Sequence, residues 1–376
     1  MAVYLDCNAT TPIEPRVQAE VVRYLAEEYG NAGSRTHEFG ARAKQAVQRA
    51  RDQIAALVRA ERDEVIFTSG ATESNNLAIL GLAAHGEKTG RRHIVSSMIE
   101  HKAVLEPLAA LQGRGFEVSL VPPTSGGWID PDAVRESLRA DTLLVSVMHV
   151  NNETGVSQPI ADICSELRDH PAYLHVDAAQ GFGKDIATLQ NGRIDLISIS
   201  GHKLYAPKGV GALVCRRREF DRVPLTPLFF GGGQERGLRP GTLPVALIVG
   251  LGLAAELASQ EGAKWMRACQ EFRARAVAGL APLHPEFNGD QERTLPHVIN
   301  LSLPDLDSEA VMVALKDVVA VSNGSACTSA SYQPSHVLKA MGLDDARIKG
   351  AIRFSWCHMT PDVDWHEVVK SVERLH

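Results

Sequence analysis

Short apolar runs alternate with longer amphipathic stretches through the middle of the chain. Val65–Thr68, His93–Ser96, Glu117–Val121, Leu143–Val147, Tyr173–Val176 and Asp195–Ile199 read as buried strands. Between them lie helical patterns such as Glu73–Ala84 and Ala103–Gln112. Strands alternating with helices predict a mostly parallel sheet covered by helices, an α/β fold. Ligands in such sheets bind at the carboxyl ends of the strands. The stretch from Gly250 to Val277 predicts one or two long helices, and Val298–Leu303 and Val318–Ser322 predict strands of a second, smaller α/β unit. Leu243–Leu257 is the most apolar segment, but Glu256 interrupts it, so it reads as a buried helix and no membrane partner is expected.

The candidate chemistry sits at the predicted strand ends. One strand-like run ends on Asp177, with Gln180 three positions on; the next is followed by Ser200-Gly201-His202-Lys203. An acid at one strand end and a lysine past the next suit pyridoxal 5'-phosphate. The lysine amine forms a Schiff base with the cofactor aldehyde, and the acid keeps the pyridine nitrogen protonated. The bland alternative is a solvated lysine and a capping aspartate. Thr68-Ser69-Gly70-Ala71-Thr72-Glu73 leaves a strand and opens a helix, which makes an anion site of the helix N-terminus. The alternative is ordinary capping by Thr72 or Ser74.

Three further residues stand out. His101 in Glu100-His101-Lys102 sits at another strand-to-helix junction, where it can stack on a ring and relay protons or simply hold the backbone. Cys327 lies in Asn323-Gly324-Ser325-Ala326-Cys327-Thr328-Ser329-Ala330-Ser331, small polar residues with nothing to pack the thiol. That composition predicts a mobile loop and a reactive cysteine in place of a buried small hydrophobe. Arg353 in Ala351-Ile352-Arg353-Phe354-Ser355 faces inward to bind a carboxylate, or outward as a surface cation.

Composition narrows the classes. The 376 residues carry a formal net charge of −6, which argues against direct nucleic-acid binding. Six cysteines occur with no Cys-x-x-Cys pair, so neither a metal site nor a disulfide framework is expected. Met1–Asp6 leads straight into polar sequence, so the expected compartment is the reducing cytoplasm.

Taken together these residues resemble the cysteine desulfurases of the NifS/IscS group, fold type I pyridoxal phosphate enzymes related to class V aminotransferases. The resemblance runs nearly end to end. It includes Leu5-Asp6 with Ala9–Pro12, Gly30-Asn31 with Ser34 and His37, and Thr68–Asn76. It continues through Glu100–Lys102, His149–Gly155, His175–Gln180, Ser200–Lys203, Arg239–Thr242 and Gly324–Ser329.

It implies a large cofactor-binding domain, residues 13–260, with a mostly parallel seven-stranded sheet. A smaller α/β domain, residues 1–12 and 261–376, would carry the Cys327 loop. It also implies roles. Lys203 would be the Schiff-base lysine, Asp177 the partner of the ring nitrogen, Gln180 the donor to the phenolic oxygen and His101 the stacking group. Thr72, Ser200 and His202 would hold the phosphate, with Ala71 beside them. Thr242 would reach the phosphate of a neighbouring subunit, implying a homodimer. Asn152, Arg353 and Asn31 would hold the substrate L-cysteine. Cys327 would take its sulfur as a persulfide, leaving alanine, and pass it to an acceptor protein.

Selenocysteine lyase, class V aminotransferase and non-catalytic sulfur-transfer scaffold are the competing expectations. Departures from the pattern fall at Cys7-Asn8, Ala32 and Trp356-Cys357. Because the stretch after Cys327 is short, the tail that docks the iron–sulfur scaffold in housekeeping relatives is expected to be missing. That shifts the expected acceptor towards a dedicated pathway such as DNA phosphorothioation, with iron–sulfur cluster assembly as the other.

Overall fold

The computed structural model describes residues 2–303, 305–324 and 334–375. Cys327 therefore lies outside the described residues.

The first strand, β1 (Val3–Tyr4), belongs with the C-terminal part of the chain. The main sheet follows. It comprises β2 (Val65–Thr68), β3 (His93–Ser97), β4 (Glu117–Val121), β5 (Thr142–Met148), β6 (Tyr173–Asp177), β7 (Leu196–Ser200) and β8 (Gly211–Cys215), in the spatial order β2-β8-β7-β6-β5-β3-β4. Only β8 runs antiparallel to its neighbours; the other pairs are parallel. The expected α/β class and seven-stranded sheet are present. Strand β8 is the one that the apolar pattern did not single out. All the central strands are buried on both faces, as parallel sheets require. Val145, Val147, Leu174, Val176, Ile197 and Ile199 point to one core. Ile66, Ile94, Leu144, Leu196 and Leu213 point to the core on the other side.

Because all strands but β8 share one direction, their carboxyl ends lie along one edge. Asp177 closes β6, Ser200 closes β7 with His202 and Lys203 just beyond, and Gly70 follows β2. Two glycines allow this crowding. Gly70 has φ +153, where an L side chain is strained. A Cβ on Gly211 would stand 2.6 Å from the Gly70 Cα and 2.3 Å from the Ile199 carbonyl oxygen.

One 36-residue helix, Val245–Leu280, fulfils the long-helix expectation. Among the described residues it alone is long and apolar enough to cross a membrane, but 67% of its most apolar window is buried in the protein. Its first half packs in the main core; Cys269, Phe272, Ala276 and Leu280 pack in a separate one with β10 and β12. The expected boundary at residues 260 and 261 thus falls inside a continuous helix.

The smaller unit holds β9 (Glu286–Phe287), β10 (Val298–Ser302), β11 (Val319–Ala320) and β12 (Ala351–Ser355). β10 pairs antiparallel with both β9 and β12, and β11 pairs parallel with β1. Isolated bridges join Asp6 to Ser355 and Ser322 to Arg353. The N-terminal segment then crosses to the main sheet, where the Thr11 amide donates to the His202 carbonyl at 2.9 Å.

The close helix contact at Gly252 is testable. A Cβ there would lie 2.4 Å from Gln53 Oε1 and 2.6 Å from Ala50 Cα. Overpacking of this kind costs about 1–3 kcal/mol. Gly252→Val should lower the urea midpoint by a corresponding amount, and an unchanged midpoint would mean that the two helices separate freely.

Candidate active site

The carboxyl edge of the sheet opens into a cavity of about 530 Å³. Its walls include Ala71, Thr72, His101, Asn152, Asp177, Gln180, Ser200, His202, Lys203 and Arg353, so ten of the expected site residues meet there. Two do not. Asn31 is exposed, and its Oδ1 accepts from the Gly33 amide at 2.8 Å. Thr242 is exposed on the segment that precedes the long helix.

Asp177 is only 6% exposed. Its Oδ2 accepts from Asn75 Nδ2 at 2.7 Å and its Oδ1 from the Ala179 amide at 3.0 Å. These bonds hold the charge and fix the plane of the carboxylate. Lys203 Nζ donates to the Asn8 carbonyl and, at 2.8 Å, to the Ala9 carbonyl. The amine is therefore aimed by backbone atoms from the crossing N-terminal segment.

The helix Ala71–Leu80 begins at Gly70 without a side-chain cap. Neither Thr72 nor Ser74 caps it; Ser74 Oγ pairs with Thr68 Oγ1 at 2.8 Å. The first amides and the positive end of the helix dipole thus remain available to an anion. Glu73 would oppose an anion, but Arg239 pairs with it at 3.0 Å. Ser200 and His202 approach from the other side, and Lys208 adds a cation that the sequence reading did not name.

His101 Nδ1 accepts from the Ala103 amide at 3.0 Å, capping the helix Lys102–Gln112. The structural and chemical readings of this residue therefore coexist. The cap leaves the ring proton of the neutral form on Nε2. Burial lowers the His101 pKa, against the upward pull of Asp177. Burial brings His202 down to about 4, helped by Lys203 and Lys208. Both imidazoles are neutral at pH 7.

Arg353 is 2% exposed, which excludes the surface reading. Its guanidinium pairs with Asp6 at 2.6 Å and donates to the Asn152 carbonyl at 2.8 Å, while Nε has no partner. Asn152 also accepts from Asn8 Nδ2 at 3.2 Å.

Several groups escaped sequence reasoning. Asn75 and the Asn8 and Ala9 carbonyls are one kind, since only the folded chain brings them to Asp177 and Lys203. Glu100 is another. Its Oε1 accepts from Ser97 Oγ at 2.5 Å and from the Met148 amide at 2.9 Å, and Oε2 is buried without a partner. Burial pushes its carboxyl up to about 8, with nearby Asp177 acting in the same direction.

The residues fit pyridoxal phosphate. Gln180 Oε1, Asn75 Oδ1 and Asn8 Oδ1 are buried and unpartnered around this cavity. Such atoms are costly unless a polar guest meets them. An amine, a held acid and an uncapped helix N-terminus offer a place each for an aldehyde, a ring nitrogen and a phosphate.

Fold and site together make a place for a carbonyl-and-phosphate cofactor beside a lysine. The chain belongs to the aminotransferase class-V family, which matches residues 3–365 and is pyridoxal-phosphate-dependent. It is 47% identical over 368 residues to a cysteine desulfurase IscS of Methylococcus capsulatus, covering 97% of this chain and 90% of that one. The solved structure of DndA from Streptomyces lividans is 57% identical, with a TM-score of 0.83, covering 96% of this chain and all of that one. A solved NifS-like protein is 36% identical, with a TM-score of 0.90, covering 100% and 98% of the two chains.

The buried Glu100 predicts a pH dependence. The folded protein keeps this proton up to about pH 8, whereas an ordinary glutamate releases it near 4.5. The raised value means that its stabilising contribution is complete below 4.5 and is lost as pH rises through 8. Glu100→Gln has no such proton to lose. Its melting temperature relative to wild type should climb across that window, and a constant difference would place Glu100 in contact with water.

Proposed function

We propose that this chain is a pyridoxal-phosphate-dependent cysteine desulfurase. It takes sulfur from L-cysteine onto Cys327, leaves L-alanine, and passes the sulfur to an acceptor protein. The observation that carries the reading is the meeting of Lys203 and Asp177 in one cavity beside an uncapped helix N-terminus. Near-full-length likeness to proteins named cysteine desulfurase supports it.

The bound cofactor supplies an electron sink for charge developing on the substrate carbon. The residues of the chain do the rest. Lys203 carries the cofactor and is delivered by the Asn8 and Ala9 carbonyls. Asp177 would pair with the ring nitrogen, and Asn75 and the Ala179 amide hold its carboxylate plane. Gln180 would donate to the phenolic oxygen. His101 would stack on the ring and move protons through Nε2, its other nitrogen being tied to the helix. The Ala71 and Thr72 amides, with Ser200 and His202, would hold the phosphate. Neutral His202 donates there without adding charge. Thr242 serves the neighbouring subunit of a homodimer. Arg353 and Asn152 hold the substrate carboxylate; Asp6 keeps the buried guanidinium neutralised until substrate arrives.

Cys327 attacks the substrate sulfur as a thiolate. Its immediate sequence is all small or polar, which suits a group that must serve two sites in turn. The likeness to DndA supports an acceptor in the DNA phosphorothioation pathway over one in iron–sulfur assembly.

Purified protein reconstituted with pyridoxal phosphate should be yellow, and Lys203→Ala should lose that absorbance. A colourless wild type after reconstitution would defeat the cofactor reading. With L-cysteine, wild type should release alanine and sulfide in equal amounts under reductant. Cys327→Ser should keep the colour, still perturb it on adding cysteine, and make almost no sulfide. Normal turnover by that variant would place the nucleophile elsewhere.

A further inference from the structure

Away from the cavity lies a second group of sulfur atoms that the proposed reaction leaves unused. Cys7, Cys269 and Cys357 are free thiols, 2%, 1% and 3% exposed. Cys7 follows Asp6, which bridges to Ser355, and Cys357 stands two residues beyond Ser355. That bridge makes the two cysteines neighbours. Both line a mostly apolar pocket of about 350 Å³ that is separate from the cofactor cavity, with Tyr4, Thr10, Pro12 and Met359 around it.

The surroundings polarise the pair. Cys357 Sγ accepts from Thr360 Oγ1 at 3.7 Å and from the Met359 amide. The Thr360 hydroxyl oxygen in turn accepts from the Cys357 amide at 2.9 Å, which fixes it in place. Lys184 lies on the same side; its Nζ is 3.3 Å from His297 Nε2. Burial lowers Lys184 to about 8. His297 is held neutral by burial, with Lys184 and Arg353 acting in the same direction. The neighbouring Cys7 lowers the Cys357 pKa against burial, and Cys357 and burial push the Cys7 thiol up. The Thr360 hydroxyl donates to the Cys357 sulfur, so Cys357 is the thiol whose charge the surroundings support. A thiolate beside a protonated thiol, with a cation nearby and a pocket for a small reagent, is the arrangement of a redox pair.

We propose that Cys7 and Cys357 form a redox-active dithiol that hydroperoxides oxidise to an intramolecular disulfide. The Cys357 thiolate attacks the O–O bond and takes one oxygen; the leaving alkoxide or hydroxide collects a proton. The Cys7 thiol then attacks the Cys357 sulfenic acid, forming the S–S bond and releasing water. Two sulfurs lose two electrons and the peroxide gains them. The pair sits one residue before Asn8, whose carbonyl accepts from both Lys203 and Gln180. The proposal itself requires nothing of the desulfurase reading, because thiol and peroxide are its only reactants.

The test uses the reconstituted full chain without L-cysteine, so that no sulfur is loaded. Hydrogen peroxide is added in small excess, free thiols are blocked, and peptides are mapped without reductant. The expected product is a Cys7–Cys357 cross-linked peptide, two hydrogens lighter than the sum of its parts and lost on adding dithiothreitol. Cys7→Ser should instead leave Cys357 as a sulfenic acid trapped by dimedone, since the resolving thiol is gone. Wild type that keeps Cys7 and Cys357 as blocked thiols while Cys327 oxidises overturns the proposal. So does peroxide that drives Cys357 to sulfinic acid with no cross-link. Both outcomes are read on wild type and stand even if the Cys7→Ser variant fails to fold.

Discussion

A carboxylate buried at the end of a central strand is costly unless its charge is held, and the site is organised around that cost at Asp177. The Asn75 amide and the Ala179 backbone amide supply the nearest compensation. Asn75 can do so because its helix starts at the uncapped Gly70 turn, so the arrangement that holds the acid also fixes the open helix N-terminus proposed for the phosphate. A second negative charge nearby would undo the balance. Glu100, close enough to feel Asp177, keeps its proton through neutral pH and is neutral there. Its unpartnered Oε2 is the residual cost. His175, directly behind Asp177 in β6, is held neutral at about 4 between Ser146 and Ser198, so it braces the strand without competing for the charge.

Charge on the opposite side of the cavity is confined to few groups. Lys203 donates to two backbone carbonyls, which aim the amine. Those carbonyls belong to residues 8 and 9, which lie between β1 and the first helix, Pro15–Ala26. The same segment donates to Ser355 through the Asn8 amide and receives Gln180 at the Asn8 carbonyl. The N-terminal crossing therefore joins the sheet that carries Lys203 to the strand that carries Arg353. Its backbone is a structural part of the site even though its side chains carry little chemistry.

The sheet and its site-bearing strand ends were legible because buried parallel strands read as continuous apolar runs and because strand ends carry ligands. Asp177, Lys203 and Gly70 could be found from that rule alone. Strand β8 was not found: Gly211-Ala212-Leu213-Val214-Cys215 lies among glycine, proline and arginine residues, and its small side chains serve close approach to Gly70. The alternative of capping by Thr72 or Ser74 falls away, because the helix starts at Gly70 without a side-chain cap, and its φ of +153 is invisible in a sequence. His101 was given two competing roles, whereas its two ring nitrogens allow both at once. Asn75, Glu100 and the Asn8 carbonyl carry no local signal, since each acquires its role from a partner more than forty residues away. Cys327 was picked out by composition alone and lies outside the described residues.

The turn Asn151–Gly155 shows how far a short motif can reach once it is folded. Asn151 Oδ1 accepts from the Glu153 and Thr154 amides at 2.9 and 3.0 Å, which closes the turn on itself. Gly155, at φ +76, presses so close to Val298 that a Cβ would lie 2.1 Å from its Cγ1. The turn is thereby pinned against β10, and Asn300 of that strand donates to the Glu153 carbonyl at 3.1 Å. Held there, Asn152 presents its carbonyl to Arg353 and Asn8, and Glu153 presents its carboxyl to Ser335 Oγ at 2.5 Å. Gly324 lies against the same Glu153 side chain, its Cβ direction ending 3.5 Å from Oε2. Burial raises the Glu153 pKa, against the Ser335 hydrogen bond and the charges of His336 and Arg353. One buried carboxyl group therefore touches the described residues on both sides of the segment that contains Cys327, while its neighbour in sequence contacts the Arg353 guanidinium that lines the cavity. Five residues set the relation between the two ends of the proposed reaction, and they do so through backbone geometry and a single acid.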